Sequence, residues 1–159
     1  MKIIEYSPKY AESVKDLLVE LQAYIADADS EKRNILTENF REKYFEKTAQ
    51  EVNGNGGKIF LALEDNTVIG LAVGIVESEA VQTYCFRAPK RGRITELVVA
   101  ENARQSGVGY ALLCEAEAYF RAIGCQEILL EVLADNTQAC AFYAHNGYFS
   151  RTLELMKKL

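Results

Sequence analysis

Residues 104–109 read Arg-Gln-Ser-Gly-Val-Gly, and they stand where an apolar strand, Ile94–Val99, runs into an amphipathic helix of about Val108–Ile123. A segment that opens a helix presents unpaired backbone N–H groups and the positive end of the helix dipole. Glycines there remove β-carbons and let an anion reach the backbone. The chemistry this supports is binding of a phosphate or pyrophosphate, although Gly-x-Gly turns of this kind also occur without a ligand. The spacing argues against two other phosphate motifs. A dinucleotide fingerprint needs a third glycine where this chain has Leu112. A Walker-type loop needs Gly-Lys followed by Ser or Thr. The nearest stretch, Gly54-Asn55-Gly56-Gly57-Lys58, is followed by Ile59 and precedes a strand, so it reads as a flexible loop.

A second group of residues lies downstream. Glu127–Leu133 has the composition of a buried strand. Asp135-Asn136-Thr137 is a good helix start, and Gln138–His145 follows it. Gly147 closes that helix, and Tyr148-Phe149 begin a further strand. Asn136 and Tyr143 therefore stand near opposite ends of one short helix. The second half of the chain alternates strands and helices throughout.

On these residues, 94–149 resemble the core of the GNAT superfamily of acyl-CoA N-acyltransferases. Arg104-Gln105-Ser106-Gly107-Val108-Gly109 matches that family's phosphate-loop pattern, Arg/Gln-x-x-Gly-x-Gly/Ala. Asn136, Ala139, Phe142, Tyr143, Gly147 and Tyr148 match its second motif. Two linked motifs in the right order are far more specific than either alone. The second half also loosely resembles peptide or ribosomal-protein N-terminal acetyltransferases.

The resemblance implies an α/β fold: a mixed, mostly antiparallel central sheet with a splayed parallel strand pair and helices on both faces. It implies acetyl-CoA as co-substrate, lying in the gap between strands 94–99 and 127–133, and no metal. The pantetheine would pair with the backbone of Leu97, Val98 and Val99 as an added strand. The pyrophosphate would sit on the amides of Arg104, Gln105, Ser106, Gly107, Val108 and Gly109, with Tyr110 following in the first helical turn. Asn136 would hydrogen-bond the pantetheine arm, cap its helix, or do both.

The implied reaction is transfer of an acetyl group to a primary amine by direct attack in a ternary complex. An alkyl amine with a pKa of about 10.4 is mostly protonated at neutral pH and must lose a proton before it attacks. Glu96 matches a catalytic glutamate of some family members. It would take that proton, directly or through water, or else merely hold the amine. Tyr143 would give its phenolic proton to the departing thiolate, or would serve as a core aromatic. Two other classes stay open: a non-catalytic acyl-CoA sensor, and a plain anion-binding or dimerising α/β domain. Stabilisation by CoA and release of free thiol separate the three.

The elements that must position these residues fit one domain over 1–159. The chain has 159 residues, enough for a real core, with ordinary hydrophobic (49%) and charged (26%) content. No apolar run reaches transmembrane length and no signal peptide is seen, so a cytoplasmic protein without a membrane partner is expected. A net charge of −5 argues mildly against nucleic acid and weakly favours a cationic acceptor, a small-molecule or peptide amine. A homodimer is left open. Cys85, Cys114, Cys125 and Cys140 lack metal-ligand spacing and read as buried, reduced thiols. His145, the lone histidine, suits a helix end at the surface.

In the first half, Lys2–Tyr6 reads as a strand and Ser7-Pro8 as a helix start. Val14, Leu17, Leu18, Leu21 and Ile25 recur at helical spacing, and a break near Asp27–Ser30 precedes a polar helix of about Glu31–Thr48. Lys58–Leu63 and Val68–Val76 flank the hairpin turn Glu64-Asp65-Asn66-Thr67. Residues 77–92 form a longer connection carrying Arg87, Lys90 and Arg91. This connection and the helices of residues 10–50 are expected to form the acceptor site.

Overall fold

Continuous apolar runs in Lys58–Glu64 (β2) and Thr67–Val76 (β3), buried on both faces, build the central hairpin of the sheet. Its turn residues, Asp65 and Asn66, both have positive φ (47° and 64°), the geometry that matches the right-handed twist of paired strands. Lys2–Glu5 (β1) pairs with β2, Arg91–Val99 (β4) pairs with β3, and Glu127–Leu129 (β5) pairs with β4. The strand order is β1-β2-β3-β4-β5, antiparallel except for the parallel β4–β5 pair. A computed structural model of the chain describes residues 1–77 and 89–159. Arg87 and Cys85, and most of the 77–92 connection, lie outside the described residues.

Helices cover both faces. On one face lie Ala11–Ala28 (α1), entered through a short 3-10 turn at Pro8–Tyr10, and Phe40–Gly54 (α2). Val14, Leu17 and Leu18 of α1 and Val52 of α2 pack there against Leu61, Leu71, Val73 and Val98. The other face is covered by Val108–Ala122 (α3), whose Val108, Leu112, Leu113, Ala116 and Phe120 meet Phe60, Ala62, Ala72 and Ile94. Thr137–His145 (α4) adds Phe142 to that side. Two sheet glycines make room for the Phe120 ring: a β-carbon at Gly74 or Gly92 would lie 2.6 or 2.5 Å from it.

Two irregularities in β4 decide where the site sits. The β3 register passes from Val73↔Glu96 to Gly74↔Ile94, so Thr95 has no partner and forms a β-bulge. Gly92 and Ile94 face α3, as their contacts with Phe120 and the α3 core show. Without the bulge Glu96 would face α3 as well. The extra residue turns it to the α1–α2 face instead, and Leu97 and Val99 then point to the α3 side. The second irregularity is the end of the β4–β5 ladder at Arg93↔Leu129. Beyond that pair the two chains part, and β4 continues as Ile94–Val99 with its outer edge open.

Several expected boundaries move. The strand expected over Ile94–Val99 begins at Arg91, and the one expected over Glu127–Leu133 ends at Leu129, where the parallel ladder ends. The helix expected over Glu31–Thr48 is α2, Phe40–Gly54. The cause is Asp29, whose carboxylate accepts from the N–H groups of Glu31, Arg33 and Asn34 and from the Asn34 side chain. Those bonds offer the backbone an alternative to helix, and they hold the Asp29 carboxyl down at about 2. Tyr148-Phe149 start no strand: Tyr148 packs on the α3 side, while Phe149 is 85% exposed. Gly57 belongs to an ordered turn rather than a flexible loop. Its N–H donates to Val52 O, and a β-carbon there would lie 2.4 Å from Gly74 O. Cys114, Cys125 and Cys140 are unpaired thiols, and all three are half-buried rather than buried.

Candidate active site

The 104–109 loop is shaped by backbone conformation. A second 3-10 turn, Glu101–Ala103, leads out of β4. Gln105 and Gly107 then adopt positive φ (61° and 85°), and α3 begins at Val108. Gly107 meets a conformation that costs an L side chain. None of the N–H groups of residues 105–110 donates to an acceptor among the described residues; the first to do so is Ala111 N–H, to Gly107 O. Consecutive free amides at a helix N-terminus form an anion-binding concavity. Gly109 faces Phe142 and Val99, each 3.6 Å from where its β-carbon would stand, so a larger side chain would fill the space between β4 and α4.

The Arg104 side chain does not join that concavity. Its Nε donates to Val99 O (3.1 Å), a second guanidinium N–H donates to Glu20 (2.7 Å), and the group lies over the Tyr24 ring. One of the β4 acceptors expected to pair with pantetheine is therefore occupied by Arg104. Ser106 Oγ donates to Ala103 O and tightens the turn. Tyr110 stands 57% exposed on the first turn of α3.

Asn136 caps α4 by accepting from Ala139 N–H (3.1 Å), and the same Oδ1 accepts from the Tyr24 hydroxyl (3.2 Å). Glu20 and Tyr24 are one turn apart on α1. This helix thereby ties the 104–109 loop to the start of α4 across the gap between the diverging strands. Asp135 reinforces the link through Ser30 Oγ (2.5 Å).

Glu96 lies just past the end of the β4–β5 ladder and is 9% exposed. Tyr44 of α2 donates its phenolic proton to Glu96 Oε1 at 2.5 Å. Burial pushes the Glu96 carboxyl up to about 7; the Tyr44 hydrogen bond and the Lys47 ammonium pull the other way, and Glu51 adds a small push upward. Tyr143 sits near the end of α4 between the rings of Phe142 (5.2 Å) and Tyr148 (5.7 Å). Its hydroxyl makes no hydrogen bond among the described residues. Burial, and then the negative charge of Glu96, push its phenol up to about 12. A buried carboxylate and a protonated phenol thus share one end of the gap. The pair can take a proton from one group and give one to another.

The expected site residues fall into three places. Leu97, Val98 and Val99 line the open part of β4; Gln105, Ser106, Gly107, Val108 and Gly109 form the amide-rich turn; Glu96, Asn136 and Tyr143 lie around the gap. Sequence reasoning missed Glu20, Tyr24 and Tyr44. Nothing in their local pattern distinguishes them from ordinary helix residues, since their partners are 52 to 112 positions away.

Comparison with known proteins agrees with this geometry. Residues 22–148 match the family model described as the Acetyltransferase (GNAT) family. An uncharacterised N-acetyltransferase of Methanocaldococcus jannaschii is 41% identical over 63 residues, which is 39% of this chain and 40% of that relative. A mutant form of the BH1408 protein from Bacillus halodurans shares the fold, with a TM-score of 0.87 at 20% identity over 100% of this chain and 99% of that one. The aminoglycoside N-acetyltransferase AAC(6′)-Iy in complex with CoA superimposes with a TM-score of 0.74 at 15% identity, covering 99% and 93% of the two chains. With a splayed mixed sheet, the glycine turn at the head of α3 and a family match over 127 of its 159 residues, this chain belongs to the GNAT acetyltransferase family.

Proposed function

We propose that this protein is an acetyl-CoA-dependent N-acetyltransferase, a single domain over residues 1–159 that acts on a primary amine by direct attack in a ternary complex. The observation that carries the reading is the gap itself. Free amides at one end, an open strand edge along its side, and Glu96 with Tyr143 at the other end are what a diphosphate-bearing thioester and an amine require. The residues present fit such a co-substrate: six consecutive N–H groups at the 105–110 turn lack acceptors among the described residues, and glycine stands at the two positions that approach it. Gln105–Tyr110 amides would hold the pyrophosphate, Leu97 and Val98 the pantetheine, and Asn136 its arm. The bound co-substrate supplies the activated acyl group as a thioester.

The chain's own residues then manage protons. Glu96, whose carboxyl burial lifts to about 7, accepts a proton from the incoming ammonium. A base matched to the working pH is the efficient choice for that step. The Tyr143 phenol, kept protonated by burial, donates to the departing sulfur. The acceptor is a small-molecule or peptide amine. The solved neighbour AAC(6′)-Iy has also been captured with the bisubstrate analogue CoA-S-monomethyl-acetylneamine, and the existence of that complex supports direct transfer here. The enzyme works in the cytoplasm; no described helix is long and apolar enough to cross a membrane. It pairs as a homodimer through residues 149–159, where Phe149, Leu153, Leu155 and Leu159 are all at least 81% exposed.

The test is an amine panel with acetyl-CoA, read by release of free thiol, alongside acetyl-CoA thermal shifts of the parent, Gly107→Val and Gly109→Val. The expected result is thiol release with at least one amine. The shift should be far smaller in both variants, because side chains now block the amides. No thiol release with any amine, or equal shifts in all three proteins at matched folding, refutes the reading.

A further inference from the structure

Tyr44 is absent from the motifs that identify the family, yet among the described residues it makes the one direct hydrogen bond to the buried carboxylate. We propose that Tyr44 is the positioning residue of this site: by donating to Glu96 Oε1 it favours the ionised carboxylate and leaves Oε2 as the single oxygen that receives the amine's proton. The proposal rests on the reading of Glu96 as the base.

Three observations carry it. First, the bulge at Thr95 turns Glu96 toward α2, so its first neighbour is a residue of the acceptor-side helices rather than of the cofactor side. Second, Tyr44 is held rigidly. Its ring stacks on Phe40 at 4.7 Å and 20°, the Lys47 ammonium stands over it at 5.5 Å, and its carbonyl accepts from Thr48 Oγ1 at 2.8 Å. A donor fixed in this way orients its acceptor. Third, the bond is short, 2.5 Å, as expected for a hydroxyl donating to an ionised carboxylate. Such bonds strengthen the charged form and oppose the burial that would neutralise it.

The groups whose charge or proton is felt at Glu96 are Tyr44, Lys47 and Glu51 of α2 and Tyr143 of α4. Of these, Tyr44 alone contacts the carboxylate directly. Burial keeps the Tyr44 phenol itself protonated well past its ordinary value, so it remains a donor throughout the working range. The proton that reaches Oε2 comes from the acceptor nitrogen, and the phenolic proton of Tyr44 stays where it is.

The experiment compares the full-length parent, Tyr44→Phe and Glu96→Gln. It measures the pH dependence of kcat/KM with acetyl-CoA and an amine from the panel, and the Glu96 titration by carboxyl-carbon NMR. Phenylalanine keeps the stack on Phe40 and removes the donor. The Glu96 titration should move up by about one to two pH units in Tyr44→Phe, the reach of a hydrogen bond to a charged group. Activity should then fall about tenfold or more near pH 6.5, and the loss should shrink toward none near pH 9. A constant loss at all pH values, or an unmoved Glu96 titration, overturns the role of Tyr44 while leaving Glu96 as base. If Glu96→Gln turns over at the parent rate, the base reading falls first and the proposal with it.

Discussion

Replacing Glu96 by glutamine should stabilise the fold at alkaline pH even as it removes activity. Burial raises the carboxyl from 4.5 to about 7. For an acid with a raised native pKa, the folded state holds the proton more tightly than the unfolded chain. The penalty for ionised Glu96 is therefore complete above about pH 7 and absent below about pH 4.5. With 1.36 kcal/mol per pH unit, it amounts to about 3 kcal/mol at pH 8 and about 1.4 kcal/mol at pH 5.5. Glutamine is close in size, keeps an oxygen for the Tyr44 hydroxyl and carries no charge to desolvate. Glu96→Gln should gain about 3 kcal/mol over the parent at pH 8, or roughly 6–12 °C in Tm for a chain of this length. The gain should fall by more than half at pH 5.5. Urea unfolding and thermal melting across pH 5–9 measure it. Activity should drop by about 10²–10⁴-fold at pH 7, as for loss of a general base. A Tm difference that does not change with pH would show that Glu96 is solvated in the folded protein, and the assignment of a base tuned by burial would fail.

The Tyr143 hydroxyl has no hydrogen-bond partner among the described residues, so Tyr143→Phe should cost little stability and leave acetyl-CoA affinity nearly unchanged. Its kcat should fall about 10–10³-fold, with partial recovery on an acyl donor whose thiol is more acidic; parent-rate turnover would make the phenol structural. Arg104→Met removes the grip on Glu20 and Val99 O, which frees a β4 carbonyl and detaches the turn from α1. The KM for acetyl-CoA should change by a few-fold while kcat holds, and a loss confined to kcat would refute that account. The double substitution Leu153→Lys and Leu155→Lys should convert a dimer to a monomer in sedimentation equilibrium with activity retained. A parent that is monomeric at all concentrations would remove the dimer from the reading.

The glycine turn ahead of α3 and the Asn136 cap of α4 were evident in the residues themselves. Both rest on local rules, namely positive φ at Gly107 and a side chain accepting from an amide three residues on. α1 and α3 followed from apolar period alone, because burial of one stripe is a local pattern read over ten or more residues. The 30–39 loop escaped that reading. The carboxylate of Asp29 outcompetes the helix for Glu31, Arg33 and Asn34 N–H groups, and a side chain that caps a loop has the same composition as one that faces water. The face of Glu96 could not be read either. Strand alternation predicts the α3 side, and only the register against β3 reveals the extra residue at Thr95 that turns it over. Tyr44 and Tyr24 entered the site the same way, from helices whose own sequence is neutral, across 52 and 112 residues. Sequence thus determined which residue types stand at the turn and the caps, where neighbours a few positions apart set the geometry. Tertiary structure decided which carboxylate is buried, which tyrosine holds it and where the strands part, because those depend on register and packing between segments that the chain itself keeps far apart.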